Sequence, residues 1–267
     1  MPKLVAQLRV KDGILFIDEW LENIGALADE IVAVDNGSTD GTYEKLKAHP
    51  KVVDVQRTEG FHEGRDKLLL YELARKRNPD WNIWLDVDEI FEKRVTREKL
   101  ESLMNIRVVS CYGFRRIHFK DDLHHFYAKW IDLLETSKLT RHMWREQTSA
   151  HYSGAYVHDG GIYGIKGLKW YSNFRIKHIC QINQYKKYRT SKYTEALEID
   201  PANSDLYKEQ LNILHDNNYP SWRYYEYPER PIYITIQNFY FTFLMVNIYF
   251  IRIVKKLGKL LRNDRQA

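Results

Sequence analysis

The first hundred residues alternate between two hydrophobic periods. KLVAQLRV, from Lys3, is a short and mostly apolar extended run. ILFIDEWLENIGALA follows, apolar at Ile14, Ile17, Trp20, Leu21, Ile24 and Leu27, the three-and-four spacing of a helix with one buried face. EIVAVD then reads as a buried strand, GTYEKLKAH as a short helix and KVVDVQ as a strand. GRDKLLLYELARKR reads as a longer helix, and WNIWLDVDE as a strand that ends in acids. Strands joined by helices lie parallel, with the helices covering the sheet's faces. The pattern therefore predicts an α/β protein, a parallel sheet with helices on both faces.

After about residue 105 the rhythm changes. VVSCYGFRRIHF, KLTRHMWR, SGAYVHDG and LKWYSNFRIKH read as strands and loops, with glycines at 160, 161, 164 and 167. INQYKKYRTSKYTEALEI and SDLYKEQLNILHD read as helices, and YPSWRYYEYPERP as a linker. The expected division is a domain over 1–200, in halves 1–105 and 106–200, followed by a helical C-terminal extension over 201–267.

Two of the early strands end on carboxylates, and ligands of open α/β sheets bind outside the carboxyl ends of the strands. In IVAVDNGSTDGT, Asp35 closes a strand, and Asn36, Gly37 and Ser38 supply a tight turn in which glycine tolerates positive φ. Thr39 and Asp40 suit the start of the next helix. In LDVDE, Asp86 and Asp88 stand two apart, so on a continuing strand they share a face. Neighbouring carboxylates repel unless a cation or hydrogen-bond donors lie between them. Hard oxygens of this kind suit Mg²⁺ or Mn²⁺.

Composition narrows the picture in a few places. The chain has 267 residues, of which 44% are hydrophobic and 29% charged, enough for a packed core and a solvated surface. The formal net charge of +5 is partly concentrated near the C-terminus and does not mark a nucleic-acid face. Cys111 and Cys180 form no CxxC, which suits a reducing compartment. MPKLVAQLRV carries no signal-peptide pattern and starts a strand at once. A cytoplasmic location is expected.

The segment Pro231–Ile251 has no charged residue, and Arg252, Lys255, Lys256, Lys259 and Arg262 follow it. Thr235, Gln237, Asn238, Thr242 and Asn247 dilute the apolar run. Residues 231–262 fit either an interfacial helix whose basic end meets anionic headgroups at the inner face of the membrane, or a core or dimer-forming helix.

VDNGSTDGT followed some fifty residues later by DVDE resembles the family 2 glycosyltransferases with the GT-A fold, which implies a Rossmann-like, mixed and mainly parallel sheet flanked by helices. RVKDGILFIDEWLENI resembles the first strand and helix of a subgroup that usually reads RxKNE, with Asp12 and Gly13 here in place of Asn-Glu. EGFHEGRDKLLLYELA resembles the family's segment bearing a nucleotide-holding arginine, here Arg65. The likeness covers residues 4–105 well and continues more loosely to about 200.

The resemblance implies roles. Asp35 would contact the nucleobase, with Arg9 or Val10 lining its pocket. Asp86 would sit near the ribose, and Asp88 on a Mn²⁺ or Mg²⁺ ion that bridges the donor diphosphate. In AYVHDGGIYG, Asp159 of the His158–Asp159 pair is the candidate general base, beside glycines suited to a closing loop. Glu63 and Glu89 are weaker candidates. His178 resembles a late histidine that completes the metal shell, and Lys186, Lys187 and Arg189 could reach phosphates. Tyr127, Trp130, Trp144, Tyr152, Tyr156 and Trp170 include candidates for a sugar platform.

The expected function is metal-dependent, inverting transfer of a sugar from a nucleotide-sugar donor to a glycan or lipid-linked acceptor, as in surface polysaccharide assembly. A nucleotidyltransferase would share the sheet and the acid pair, but RVKDGIL is a poor match to its Gly-rich, basic first loop. A non-catalytic glycan-binding protein on a transferase fold would not need Asp35, Asp86, Asp88 and Asp159 together.

Overall fold

The structure is a computed structural model that describes residues 1–60, 62–119, 125–128, 139–155, 161–179, 190, 193–195, 197–198, 201–215, 223–226 and 246. The alternation read from the sequence is present: β1 (Leu4–Val10), α1 (Ile17–Leu27), β2 (Glu30–Asp35), α2 (Thr42–Ala48), β3 (Val52–Arg57), α3 (Glu63–Lys76) and β4 (Trp81–Trp84). Next come β5 (Glu89–Phe91), α4 (Arg97–Met104), β6 (Val109–Phe119), β7 (His125–Ala128), β8 (Leu139–Arg145) and β9 (Leu168–Ile179). A 3₁₀ turn (Pro201–Asn203), α5 (Ser204–His215) and β10 (Arg223–Glu226) complete the described elements.

The strands run in the order β10-β7-β6-β8-β4-β1-β2-β3, with β9 paired to both β5 and β6. β1 pairs in parallel with β2 and β4, and β2 with β3. β8 then enters antiparallel between β4 and β6. The sheet is thus parallel where the first helices cross over and mixed beyond them. The Pro- and Tyr-rich stretch expected to be a linker contributes the edge strand β10, antiparallel to β7.

Alternation along β1 sorts its side chains onto two cores. Leu4, Ala6, Leu8 and Val10 face one side, packed with Ile17, Trp20, Leu21 and Ile24 of α1. Val5 faces the other, with Leu70, Tyr71, Leu73 and Ala74 of α3. Both cores form because strand side chains point alternately to opposite faces. On the α3 side a buried polar chain crosses the sheet. Gln7 Nε2 donates to Asn82 Oδ1 at 2.9 Å and Asn82 Nδ2 to Glu146 Oε2 at 2.7 Å. The Tyr71 hydroxyl and Arg75 Nε also donate to Glu146, and burial together with that carboxylate pushes the Tyr71 pKa well up. The chain ties α3 to β4 and β8, so the helix that begins beside the strand ends cannot slide.

One prediction about local structure fails in an informative way. WNIWLDVDE is not a single strand. β4 stops at Trp84, a turn carries Val87 and Asp88, and Glu89 opens the separate strand β5. Asp86 and Asp88 therefore do not share a face through strand periodicity, and their placement comes from the turn. Trp20 is fully buried at the centre of the larger core. Trp20→Ala should lower unfolding free energy by about 3–5 kcal/mol in a urea titration.

Candidate active site

β2 and β4 flank β1, so their carboxyl ends lie on one edge of the sheet, two strand spacings or about 10 Å apart. Asp35 ends β2 and is fully buried. Its Oδ1 accepts from Ser38 N at 2.9 Å and lies 3.3 Å from Arg57 Nε. Its Oδ2 is buried with no hydrogen-bond partner among the described residues, and so is Asn36 Oδ1. Unpartnered acceptors at a strand end are what an incoming N–H donor needs. Gly37 adopts a φ of 74°, as the turn reading required.

The rest of DNGSTDGT braces the loop after β1. Ser38 Oγ accepts from Asp12 N at 2.8 Å, and Thr42 Oγ1 accepts from Gly13 N at 2.9 Å. Asp40 accepts from Ile14 N and from Thr42. Burial works to raise the Asp40 pKa, but these hydrogen bonds hold it below the usual carboxylate range. Asp12 sits at φ 47°, and its carboxylate accepts from Thr39 N at 2.8 Å. The Asp-Gly departure from Asn-Glu thus has a structural role. The helix cap falls on Gly41 rather than on Thr39 or Asp40.

Arg57, which the sequence reading passed over, donates to Ser38 O at 2.7 Å and lies over the Tyr43 ring. It borders Asp35 at a half-exposed position. Asp66 was also missed. It is fully buried and joins two of the expected residues: Arg9 Nε lies 3.1 Å from its Oδ2 and Arg65 Nη2 2.8 Å from its Oδ1. Arg65 further donates to the carbonyls of Glu59 and Gly60, and Asn36 Nδ2 donates to the same Gly60 oxygen. Arg9, Arg65 and Asn36 therefore form one connected wall. Val10 belongs elsewhere: its side chain lies in the core against Gly13, and its carbonyl accepts from Asn36 N. An acid in the first turn of a helix reads as a dipole partner, which is why Asp66 gave no stronger signal.

At the end of β4, three carboxylates lie within four residues. Burial and the negative charges of Glu89 and Asp88 push Asp86 up to about 7, with Lys67 opposing. Lys67 is itself buried, 2.8 Å from Glu63 and over the Trp84 ring. Glu89 Oε1 pairs with Arg116 Nη1 at 2.9 Å. Burial alone would raise Glu89, but His142, Arg116 and His178 hold it below the usual range. Burial pushes His142 down, and its Nδ1 donates to Trp84 O at 2.8 Å. Glu63 and Glu89, the secondary base candidates, are both committed to ion pairs.

Asp88 and His178 stand side by side, Oδ2 to Nε2 at 3.1 Å. β5 and β9 set this pair, since Glu89 faces His178 in register and Ile179 N donates to Asp88 O. Adjacent ligands on one octahedral ion, each at about 2.0–2.1 Å, stand about 3 Å apart. The 3.1 Å contact is a direct hydrogen bond between the two side chains, and their spacing is also compatible with adjacent positions on one divalent ion. Among the described residues no group of three His, Cys, Asp or Glu could surround an ion. Two protein donors would leave positions open for ligand oxygens.

Asp159, Lys186 and Arg189 lie outside the described residues, as do Trp130, Tyr156 and nearly all of 231–262. Among the described residues no helix is long and apolar enough to cross a membrane. The segment leading to His158–Asp159 is anchored beside the site. A Cβ on Gly64, in the first turn of α3, would stand 2.2 Å from the Gly154 carbonyl carbon, so only glycine lets the 153–155 segment lie there. Of the aromatic candidates, Trp144 and Tyr152 are buried core, edge-on to each other, whereas Trp170 is partly exposed.

Residues 15–158 match the model of the family described as Glycosyl transferase family 2. Two uncharacterised mycobacterial proteins, from Mycobacterium tuberculosis and Mycobacterium bovis, are each 29% identical over 98 residues. The match covers 34% of this chain and 24% of theirs, so the chain spans only about a quarter of those relatives' length. Among solved structures, S. aureus TarS 1-349 matches at TM-score 0.48 and 13% identity, covering 80% of this chain and 71% of that one. A Pyrobaculum calidifontis mannosyltransferase in complex with GDP-Man and Mn²⁺ matches at TM-score 0.48 and 14% identity, over 81% and 70%.

Asp66→Ala removes the carboxylate shared by Arg9 and Arg65. It should destabilise the protein by about 1–3 kcal/mol in urea unfolding, the exposure of Arg65 keeping the figure at that level.

Proposed function

The chain belongs to glycosyl transferase family 2, and we propose that it transfers a sugar from a nucleotide-sugar donor to a hydroxyl of a glycan or lipid-linked acceptor, with inversion and with a divalent metal. The reading rests on one observation above others. Two groups lie at the carboxyl ends of the parallel strands β2 and β4: the buried Asp35 with its unpartnered Oδ2, and the Asp88–His178 pair, in direct contact at 3.1 Å.

Asp35 Oδ2 accepts from a base N–H, with Arg57 bordering it. The wall of Arg9, Arg65 and Asn36 closes the nucleoside side, and Asp86 faces the ribose. Asp88 and His178 would hold Mn²⁺ or Mg²⁺, which when bound would supply Lewis-acid stabilisation of the leaving nucleoside diphosphate. Asp159 takes the proton of the acceptor hydroxyl as its oxygen bonds to the anomeric carbon, and the bond from that carbon to the diphosphate oxygen breaks. A single base suffices for such a direct displacement. Support for placing Asp159 there comes from Gly154, which lies against the start of α3 only five residues earlier. Lys186 and Arg189 contact phosphate oxygens. The segment 231–262 brings the protein to the inner face of the cytoplasmic membrane, where a lipid-linked acceptor is held; a pairing of two copies through it would give a dimer instead.

Release of nucleoside diphosphate from a panel of UDP-, GDP- and dTDP-sugars tests the reading. Turnover should require Mn²⁺ or Mg²⁺ and fall at least about 100-fold in Asp88→Ala, in line with the loss of a group that stabilises developing charge. Asp35→Ala should weaken nucleotide affinity about 10-fold or more with the metal site intact. Absence of nucleotide binding across the panel would sink the transferase reading. Full turnover in Asp159→Asn would sink only the base assignment.

A further inference from the structure

Glu89 makes more contacts than the third acid of a cluster needs. Its backbone N donates to Asp86 O at 2.9 Å, and its Oε2 accepts from Asp86 N at 3.3 Å. The two residues thus close the turn between β4 and β5 from both sides, much as a capping box closes a helix start. Glu89 Oε1 takes the Arg116 guanidinium at 2.9 Å, which fastens the turn to β6. Across β5 and β9 the same residue stands opposite His178. Glu89 is fully buried, and Arg116 supplies one of the positive charges that offset the repulsion among the three carboxylates.

We propose that Glu89 and Arg116 are positioning residues for the Asp88–His178 pair, holding the turn in the shape that sets the two donors 3.1 Å apart. This rests on the metal-dependent transferase reading. The physical reason is that Asp88 lies in a turn and not on a strand, so no ladder of backbone hydrogen bonds orients its side chain. The Asp86–Glu89 closure does that work from one side and the Ile179 N to Asp88 O bond from the other. Glu89→Gln loses one of its two acceptor functions, because an amide nitrogen cannot accept from either Asp86 N or Arg116.

Titration of Mn²⁺ followed by electron paramagnetic resonance, with UDP and separately with GDP present, measures metal affinity directly. Glu89→Gln and Arg116→Met should each weaken it about 10- to 100-fold, the usual effect of removing a group that orients a metal ligand. Arg116→Lys should recover part of the loss. Nucleotide affinity without metal should fall clearly less than Mn²⁺ affinity, since Asp35 and the Arg65 wall are untouched and only Asp86, which Glu89 contacts, is disturbed. If Glu89→Gln does not fold, the two Arg116 variants decide the matter by the same measurement. Unchanged Mn²⁺ affinity in the folded variants overturns the proposal, as does an equal loss of metal-free nucleotide affinity, which would mark general disruption. If the unaltered protein binds nucleotide but no Mn²⁺, or binds neither, the metal-dependent reading falls and this one with it.

Discussion

Everything at the carboxyl edge of the sheet depends on keeping three acids together in little water. Burial and the charges of Glu89 and Asp88 push Asp86 up to about 7, and burial alone would raise Glu89 as well. What offsets this is a set of cationic or donating groups drawn from distant parts of the chain: Lys67 from α3, Arg116 from β6, His142 from β8 and His178 from β9. Each is delivered by an element whose position is set by hydrophobic packing elsewhere. The two cores therefore place charge as well as bury apolar area, and the site inherits its geometry from them.

A second acid shows the same logic on the other side. Asp66 is buried between Arg9 and Arg65, one from a strand and one from its own helix. The carboxylate holds two guanidinium groups that would otherwise repel, and Arg65 in turn caps the Glu59 and Gly60 carbonyls against which Asn36 also bonds. The wall beside Asp35 is thus a network, in which the removal of one member leaves buried polar groups without partners. Arg57 and Tyr43 close the remaining side.

Much of the first half was legible from periodicity, because a strand buried on both faces and a helix with one buried stripe leave different marks in sequence. IVAVDNGSTDGT announced β2 and its glycine turn, and the chain departs from expectation there only in placing the helix cap at Gly41. Asp35 was legible because a carboxylate at the end of an apolar run has few structural reasons to be there. Asp66, Arg57 and Lys67 were not, since an acid or base within an amphipathic pattern normally faces solvent, and nothing local distinguishes the few that turn inward. The resemblance offered Arg9 or Val10 for the pocket wall, and strand alternation decides between their side chains by sending that of Val10 to the core.

By itself the sequence determined the order of strands and helices, the parallel start of the sheet, and which strands end in acid, because these follow from local periodicity and backbone preference. Tertiary structure alone decided that LDVDE is a turn between two strands, that Glu89 staples it, and that Asp88 meets His178 from ninety residues away. Such pairings depend on strand register and on which side chains share a dehydrated space. Both are set by packing across the whole sheet and leave no mark at any one position in the chain.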